Sequence, residues 1–411
     1  MQNVFQRTTC RACNSPDLVS ILNLGSQPPA NAFVKPEEFE TEQAFPLEVF
    51  FCRSCTLVQL LYIVSPELLF RNYVYVSSTS PVFQEHFRQF ASFIMDRYLK
   101  PGQLAVDIGS NDGILLKPLK ERGARVMGVD PATDIAARAT KEGIPTLPHF
   151  FTPVVAETLK RRLGPAHVIT GTNVFAHVDD IQPLLEGVAA LLAPEGVFII
   201  EAPYLIDFLT KRLFDTVYHE HVSYYSVRSL QELVGRVGFR VIDVQKVNTH
   251  GGSIRVSMVR ESEGRQRQPS VDEFLELEKR EGLYQEETYH AFARLVEKNK
   301  QELTALLKDL KAQGKRIAGY GAPAKGNTLL NYMNIGPDIL DYIVDDSAYK
   351  QGLYTPGMHI PVASLERLVA DQPDFVFILA WNFADAIMKR CRTAIGDKAQ
   401  YIIPVPTPTI L

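Results

Sequence analysis

Twice in this chain an apolar strand candidate runs into a glycine-bearing turn and then into a helix. The first copy is Ala105-Val106-Asp107-Ile108-Gly109-Ser110-Asn111-Asp112-Gly113-Ile114-Leu115-Leu116. The second is Ile317-Ala318-Gly319-Tyr320-Gly321-Ala322-Pro323-Ala324-Lys325-Gly326-Asn327-Thr328. Around the first, strand candidates run from Leu104 to Ile108, Arg125 to Val129, Val168 to Thr170, Val197 to Glu201, Val241 to Val244 and Ile254 to Val259. Helical stretches separate most of them, which predicts an α/β fold with a doubly wound, mainly parallel sheet. The last two adjoin with no helix between, so an antiparallel hairpin is expected at one edge. Around the second copy, Arg316 to Tyr320, Leu340 to Val344, Phe375 to Ala380 and Tyr401 to Pro404 predict a smaller α/β unit. Residues 263–312 are charged and helix-favouring and read as a connector with a solvated face.

A chain of 411 residues exceeds one compact core. The expected division is a zinc-binding domain at 1–70, a central domain at 71–262, the helical connector at 263–312 and a carboxyl-terminal domain at 313–411. No apolar stretch approaches the roughly 20 residues needed to cross a bilayer, and the first residues lack the apolar core of a secretion signal. These observations predict a cytoplasmic protein without a membrane partner. A net charge of -4 gives no electrostatic reason to expect nucleic acid as a partner.

Of five cysteines, four form two Cys-x-x-Cys pairs, Cys10/Cys13 and Cys52/Cys55. In a cytosolic chain such pairs favour zinc over disulfides, and four thiolates make a closed, structural site. Cys391 stands alone and reads as an incidental buried thiol.

The two glycine turns differ in charge. A pyrophosphate is poorly served by Asp107 and Asp112, whereas a ligand carrying a sulfonium and an amino group suits them. The next strand ends in Val129-Asp130-Pro131, where a carboxylate can hydrogen-bond a ribose diol. Together these residues resemble the S-adenosylmethionine site of class I methyltransferases. That resemblance implies cofactor binding by Asp107, Gly109, Asn111, Asp112, Gly113, Asp130 and Pro131. Asn173, in the loop after the next parallel strand, joins the same set. The second turn is basic, and its helix start with Lys325 suits a diphosphate bound by Gly321, Lys325, Gly326 and Asn327. Asp345 and Asp346, at the following strand end, either meet a ribose or cap a turn.

The densest chemistry lies in Phe214-Asp215-Thr216-Val217-Tyr218-His219-Glu220-His221-Val222-Ser223-Tyr224-Tyr225. In a doubly wound fold this run and His177, in Asn173-Val174-Phe175-Ala176-His177, converge beyond the carboxyl ends of the strands. His219, Glu220, His221 and His177 form a possible second metal set. Acid/base chemistry is favoured, because neighbouring histidines without a fixed ligand frame more often transfer protons.

These segments, with the Cys-x-x-Cys pairs and His250-Gly251-Gly252-Ser253-Ile254-Arg255, resemble the nucleotide-sugar C-methyltransferases. That family includes the dTDP-sugar C-3'-methyltransferases of antibiotic deoxysugar pathways. The resemblance implies a zinc module, a central class I (Rossmann-like) methyltransferase domain and a carboxyl-terminal Rossmann-like domain. It implies a dTDP- or GDP-linked 4-keto sugar held between the last two. His221 is then the base that removes the proton α to the ketone, with His219 as the rival. Tyr218, Glu220 and His177 position the sugar and stabilise the enolate, and Tyr75, in Tyr73-Val74-Tyr75-Val76-Ser77-Ser78, reaches in from a capping segment. Two other readings stay open: O- or N-methylation of a sugar nucleotide, and a zinc-ribbon binding module on an inactive methyltransferase scaffold. The sequence leaves the oligomeric state open.

Overall fold

Every residue of the strand Leu104–Ile108 is buried, as a strand must be when parallel neighbours flank it and helices cover both faces. The computed structural model of the chain describes residues 3–65, 68–69, 81–249 and 251–411. Tyr75 and its segment 73–78 therefore lie outside the described residues, as does His250.

Leu104–Ile108 stands near the middle of a seven-stranded sheet. The spatial order is Phe239–Val247, Ser253–Arg260, Leu192–Pro203, Ala166–Thr172, Leu104–Ile108, Arg125–Val129 and Thr146–Leu147. The expected antiparallel hairpin forms at one edge, with the later strand on its inner side. Ser253–Arg260 inserts between Leu192–Pro203 and Phe239–Val247 and runs antiparallel to both. The chain turns to opposite sides of Leu104–Ile108 after its two neighbouring crossovers, which opens a crevice at the strand's carboxyl end.

The second sheet has the order Val362–Ala363, Ile343–Val344, Ile317–Tyr320, Phe375–Ile378, Gln400–Ile403 and Thr409–Ile410. Only the last pairing is antiparallel. Ile317–Tyr320 is again central, so the second glycine turn also opens at a switch point.

Cys52 ends a strand of a third sheet, and Cys55 lies in the turn that follows. Leu18–Gln27, Phe45–Cys52 and Val58–Leu60 pair antiparallel in sequence order. Its fourth strand comes from far along the chain: Ser223–Tyr224, with Ser223 opposite Gln59 and Tyr224 opposite Val58. Sequence periodicity gives no hint of this two-residue strand.

The predicted connector is two helices, Pro269–Arg280 and Glu286–Ala312. Their solvated face is accompanied by a buried one. Tyr289, Phe292, Val296, Leu303 and Leu307 line the inner stripe of the longer helix, which packs against Leu18–Gln27. In the shorter helix Glu278 is fully buried. Its carboxylate accepts the amides of Val227, at 2.5 Å, and Arg228, at 3.2 Å, capping the helix Val227–Gly235. It also accepts the hydroxyls of Tyr204 and Tyr284, each at 3.1 Å. Removing the carboxylate leaves the buried Val227 amide and Tyr204 hydroxyl without that partner, whereas Tyr284 keeps the Leu275 carbonyl at 3.2 Å. Glu278→Ala is therefore expected to destabilise the fold by about 3 kcal/mol, read as a lowered thermal midpoint with the zinc content unchanged.

Candidate active site

The acidic turn is shaped before any ligand arrives. Gly109 has φ +68°, and a Cβ there would strike Val174. Gly113, at φ +79°, would meet Ile144 at 2.9 Å. Both positions require glycine. Asp107 is buried and accepts the Thr170 hydroxyl at 2.6 Å. Burial pushes its carboxyl up to about 7, against the pull of the Thr170 hydrogen bond and with help from Asp130 and Glu201. Asp130 accepts the Asn111 amide at 2.8 Å and the Ala132 amide at 2.9 Å, and burial raises its pKa too. Asp112 is 2% exposed, and one of its carboxylate oxygens has no hydrogen-bond partner. Buried acidic groups around a turn that admits no side chain fit a compact cationic cofactor. Pro131 is exposed at the rim, and the Asn173 amide donates to the carbonyl of Glu201 at 2.9 Å.

Glu201 itself carries no sequence signal beyond lying at a strand end. It accepts the Arg255 guanidinium at 2.7 Å and meets His86 at 2.7 Å. Burial raises its pKa, but His86 and Arg255 outweigh burial and hold it below its usual value. Arg255 also stacks 3.8 Å over Phe90, so this network fastens the helix Pro81–Arg97 to the sheet beside the cradle.

The histidine run lies beside the loop after Ala166–Thr172, with the Val222 amide donating to the Ala176 carbonyl at 2.7 Å. His221 Nδ1 lies 2.9 Å from the carbonyl of Thr216, and its Nε2 lies 2.9 Å from the Tyr218 hydroxyl. A carbonyl only accepts, so Nδ1 carries the proton and Nε2 is the ring's basic atom in the neutral form. His177 is fixed in the same way, with Nδ1 2.8 Å from the Glu220 carbonyl. The two rings stand edge to face at 4.9 Å. His219 turns away. It is 1% exposed, its Nε2 meets the Phe45 carbonyl at 3.2 Å, and burial pushes its pKa down to about 4. Among the described residues these histidines do not form a metal-binding group. Glu220 is buried, accepts the Asn31 amide at 2.7 Å and is pushed up to about 7 by burial. Asn31 comes from the zinc module, in a Pro-rich loop whose sequence gives no sign of this contact.

The sulfurs of Cys10, Cys13, Cys52 and Cys55 all lie within 4.8 Å of one another, and none is in a disulfide. Cys10 to Cys55 and Cys13 to Cys52 are each 3.5 Å. A tetrahedral zinc with bonds of about 2.3 Å separates its sulfurs by about 3.8 Å, so the four thiols fit the ion. Gln59 donates to the Cys10 sulfur at 3.1 Å, a contact suited to a thiolate. Cys391 is buried and free, as expected of an incidental thiol.

In the basic turn Gly321 has φ +84°, and a Cβ there would meet Ala380 at 2.6 Å. Lys325 lies in the first turn of the helix Ala324–Met333, 3.5 Å above the Trp381 ring, with Nζ 2.5 Å from Asn382. Burial lowers its pKa to about 8, and Asp215 opposes that shift. Asp215 in turn accepts the Trp381 indole at 2.6 Å. The structure thus links Lys325, through Trp381, to the run that carries His221. Gly326 packs under Leu379. Asn327 is buried and donates to the Ala30 carbonyl at 2.7 Å. Asp345 accepts the Ala322 amide at 2.7 Å, whereas Asp346 pairs with Arg390 on the outside.

The central fold with its acidic cradle defines a class I methyltransferase that uses S-adenosylmethionine. Residues 83–244 match the methyltransferase domain family, residues 10–70 a zinc binding domain family, and residues 248–406 the C-methyltransferase C-terminal domain. The chain is 37% identical to the C-methyltransferase NovU of Streptomyces niveus over 404 residues, which is 98% of this chain and 96% of that protein. It therefore belongs to the C-methyltransferase family, and the readings of an O- or N-methyltransferase and of an inactive scaffold are set aside. A ubiquinone biosynthesis O-methyltransferase of Rhodopseudomonas palustris (strain HaA2) is 32% identical over 100 residues, 24% of this chain and 39% of that protein. The magnesium protoporphyrin IX methyltransferase of Synechocystis PCC 6803, solved with bound SAM, covers 43% of this chain and 79% of its own at 16% identity. Its TM-score of 0.34 is too low to bear on function. No helix among the described residues is long and apolar enough to cross a membrane.

A carboxyl titrating near 7 beside a cationic cofactor gives a pH test. Its folded pKa lies above the unfolded value, so the carboxylate weakens the unliganded fold as pH rises from about 4 to 7. The cofactor gains from the same rise. Affinity for S-adenosylmethionine is expected to drop about tenfold from pH 8 to pH 6. In calorimetry, Asp107→Asn should bind weakly at pH 8 and flatten that dependence.

Proposed function

We propose that this C-methyltransferase acts on a nucleotide-linked 4-keto deoxysugar, at C-3', through an enolate. The observation that carries the reading is the fixed tautomer of His221, whose Nδ1 faces the Thr216 carbonyl while Nε2 faces the Tyr218 hydroxyl. A ketone acidifies the neighbouring C–H, and a neutral imidazole is suited to removing that proton. His221 Nε2 takes the proton. Tyr218, turning from His221 Nε2, donates toward the oxygen on which negative charge develops, and His177 helps to position the sugar. Glu220, protonated or charged near neutral pH and oriented by Asn31, holds a sugar hydroxyl. Bound S-adenosylmethionine supplies the electrophilic methyl group that the enolate carbon takes. Tyr75 belongs to the same proposal as a capping residue. His219, buried against Phe45, supports the loop and does not reach substrate.

Lys325 and the helix start after Gly321 take the diphosphate, with Gly326 and Asn327 shaping the turn beneath it. This reading is supported by a lysine placed at a helix amino terminus, where both the partial positive charge and the ammonium favour an anion. The base of the nucleotide, thymine or guanine, is read by incubating the enzyme with S-adenosylmethionine and dTDP- or GDP-linked 4-keto sugars and following methylation by mass spectrometry.

His221→Asn is expected to lower turnover by about 10³-fold, within the range of a lost general base, while calorimetry gives an unchanged cofactor affinity. Deuterium from solvent should enter the sugar carbon without cofactor in the wild type and not in the variant; turnover like the wild type would refute the assignment. Separately, Lys325→Ala should weaken sugar-nucleotide binding by about tenfold or more, the value of a charge-assisted hydrogen bond, and unchanged affinity would count against the diphosphate site.

A further inference from the structure

Between the zinc ligands Cys10 and Cys13 stands Arg11, whose side chain is 1% exposed. Burial disfavours an unpaired cation, and both terminal nitrogens of this guanidinium are hydrogen-bonded while its Nε has no partner. One terminal nitrogen donates to the Val222 carbonyl and to the Ser223 hydroxyl, the latter at 3.1 Å. The other donates to the Leu60 carbonyl at 2.7 Å and meets Asp179 at 3.2 Å. The Arg11 backbone amide donates to Gln59 at 3.1 Å, and Gln59 donates to the Cys10 sulfur. The planar fork therefore grips two strands at once: Val58–Leu60 of the zinc sheet and Ser223–Tyr224, which begins just after the histidine run.

Val222 is the peptide neighbour of His221. Its carbonyl accepts the Leu60 amide at 3.0 Å besides Arg11, and its amide donates to the Ala176 carbonyl at 2.7 Å. Ala176 is the neighbour of His177. One hydrogen-bonded line thus runs from the zinc thiolates through Arg11 to the backbone that carries both histidines.

We propose that Arg11 is a positioning residue for methyl transfer, fixing the Val222 peptide so that His221 and His177 face the substrate together and tying their geometry to the zinc-loaded knuckle. The proposal rests on His221 as the base. A lysine offers one rotatable nitrogen where Arg11 places two in a fixed plane, one on each carbonyl, so the planar fork is the feature lost. Asp179 keeps Arg7 as a partner at 3.0 Å when Arg11 is replaced, so an apolar side chain of similar length removes the grip without stranding that carboxylate.

The test uses full-length, zinc-loaded Arg11→Met and Arg11→Lys, with zinc content, calorimetric affinity for S-adenosylmethionine, kcat, KM and cofactor-free solvent deuterium entry measured on each. Arg11→Met is expected to keep its zinc and its cofactor affinity. Its kcat and deuterium entry should fall by about 10- to 100-fold, as for reacting groups misplaced by about an ångström. KM should change far less than kcat, and Arg11→Lys should recover part of the rate. A zinc-loaded Arg11→Met with kcat and exchange within about threefold of wild type, below any misplacement effect, overturns the proposal. If Arg11→Met loses zinc, Arg11→Lys carries the test: zinc retained with a reduced kcat supports the role, and an unchanged kcat overturns it. Deuterium entry that survives His221→Asn sinks the base assignment instead, and that control separates the two failures.

Discussion

The pairing of Ser223–Tyr224 with Val58–Leu60 is the contact on which the rest of the architecture depends. Two residues make a strand too short to hold itself, so its position is set by what surrounds it. Arg11 clamps its start, and the Tyr225 hydroxyl donates to the Phe175 carbonyl at 3.0 Å. The Leu205 amide donates to Tyr225 at 3.0 Å. These bonds fasten the end of the histidine run to the sheet beneath it and to the zinc sheet beside it. A module of this size has little core of its own and draws stability from its metal. Here the module also completes its sheet with the catalytic domain's backbone, so its folding and the shape of the run are one problem.

The two glycine turns show how one backbone solution serves opposite charges. In each, a carboxylate at the end of the following strand accepts the amide of the turn: Asp130 from Asn111 and Asp345 from Ala322. That bond fixes the turn against the neighbouring strand. What differs is the side chains. The first turn buries Asp107 and Asp112, with burial lifting the Asp107 carboxyl to about 7. The second presents Lys325 and pairs its acid with Lys350 at 3.8 Å. The charge of each turn is therefore set by a few side chains, while the backbone arrangement is common to both.

Regular elements were legible in the sequence because periodicity and glycine placement act locally. Leu104–Ile108 and Arg125–Val129 fall where the apolar runs predict, and the paired cysteines lie close enough for one ion. The missed features all depend on distant chain. Glu278 lies in a run of charges that reads as solvated, yet its four donors come from Tyr204, Val227, Arg228 and Tyr284. Arg11 looks like an ordinary polar residue of a knuckle until Val222 arrives. His219 and His221 could not be told apart because they sit on an irregular turn, where no period of two or 3.6 assigns faces. Only the positions of Phe45 and Thr216 separate them, one closing over His219 and the other locking the ring of His221.

The zinc module also reaches the carboxyl-terminal domain, and this closes a ring of contacts. Asn31 donates to Glu220 while its neighbour Ala30 accepts from Asn327 in the basic turn. Three residues on, Val34 bridges to Tyr354. Glu42 accepts the Gly357 amide at 3.0 Å and lies 2.9 Å from His359. On the other side Trp381 spans from Lys325 to Asp215 in the histidine run. The basic turn and the histidine run are therefore held at a set separation from two directions. On the proposed assignment, a sugar nucleotide anchored by its diphosphate meets histidines already in place, because the protein has met the entropic cost of that spacing on folding. A C–H bond beside a ketone is a weak acid, and its removal tolerates little misplacement of the base. A short loop of a metal-stabilised module, bonded to both ends of the cleft, supplies that constraint without enlarging either of the two larger domains.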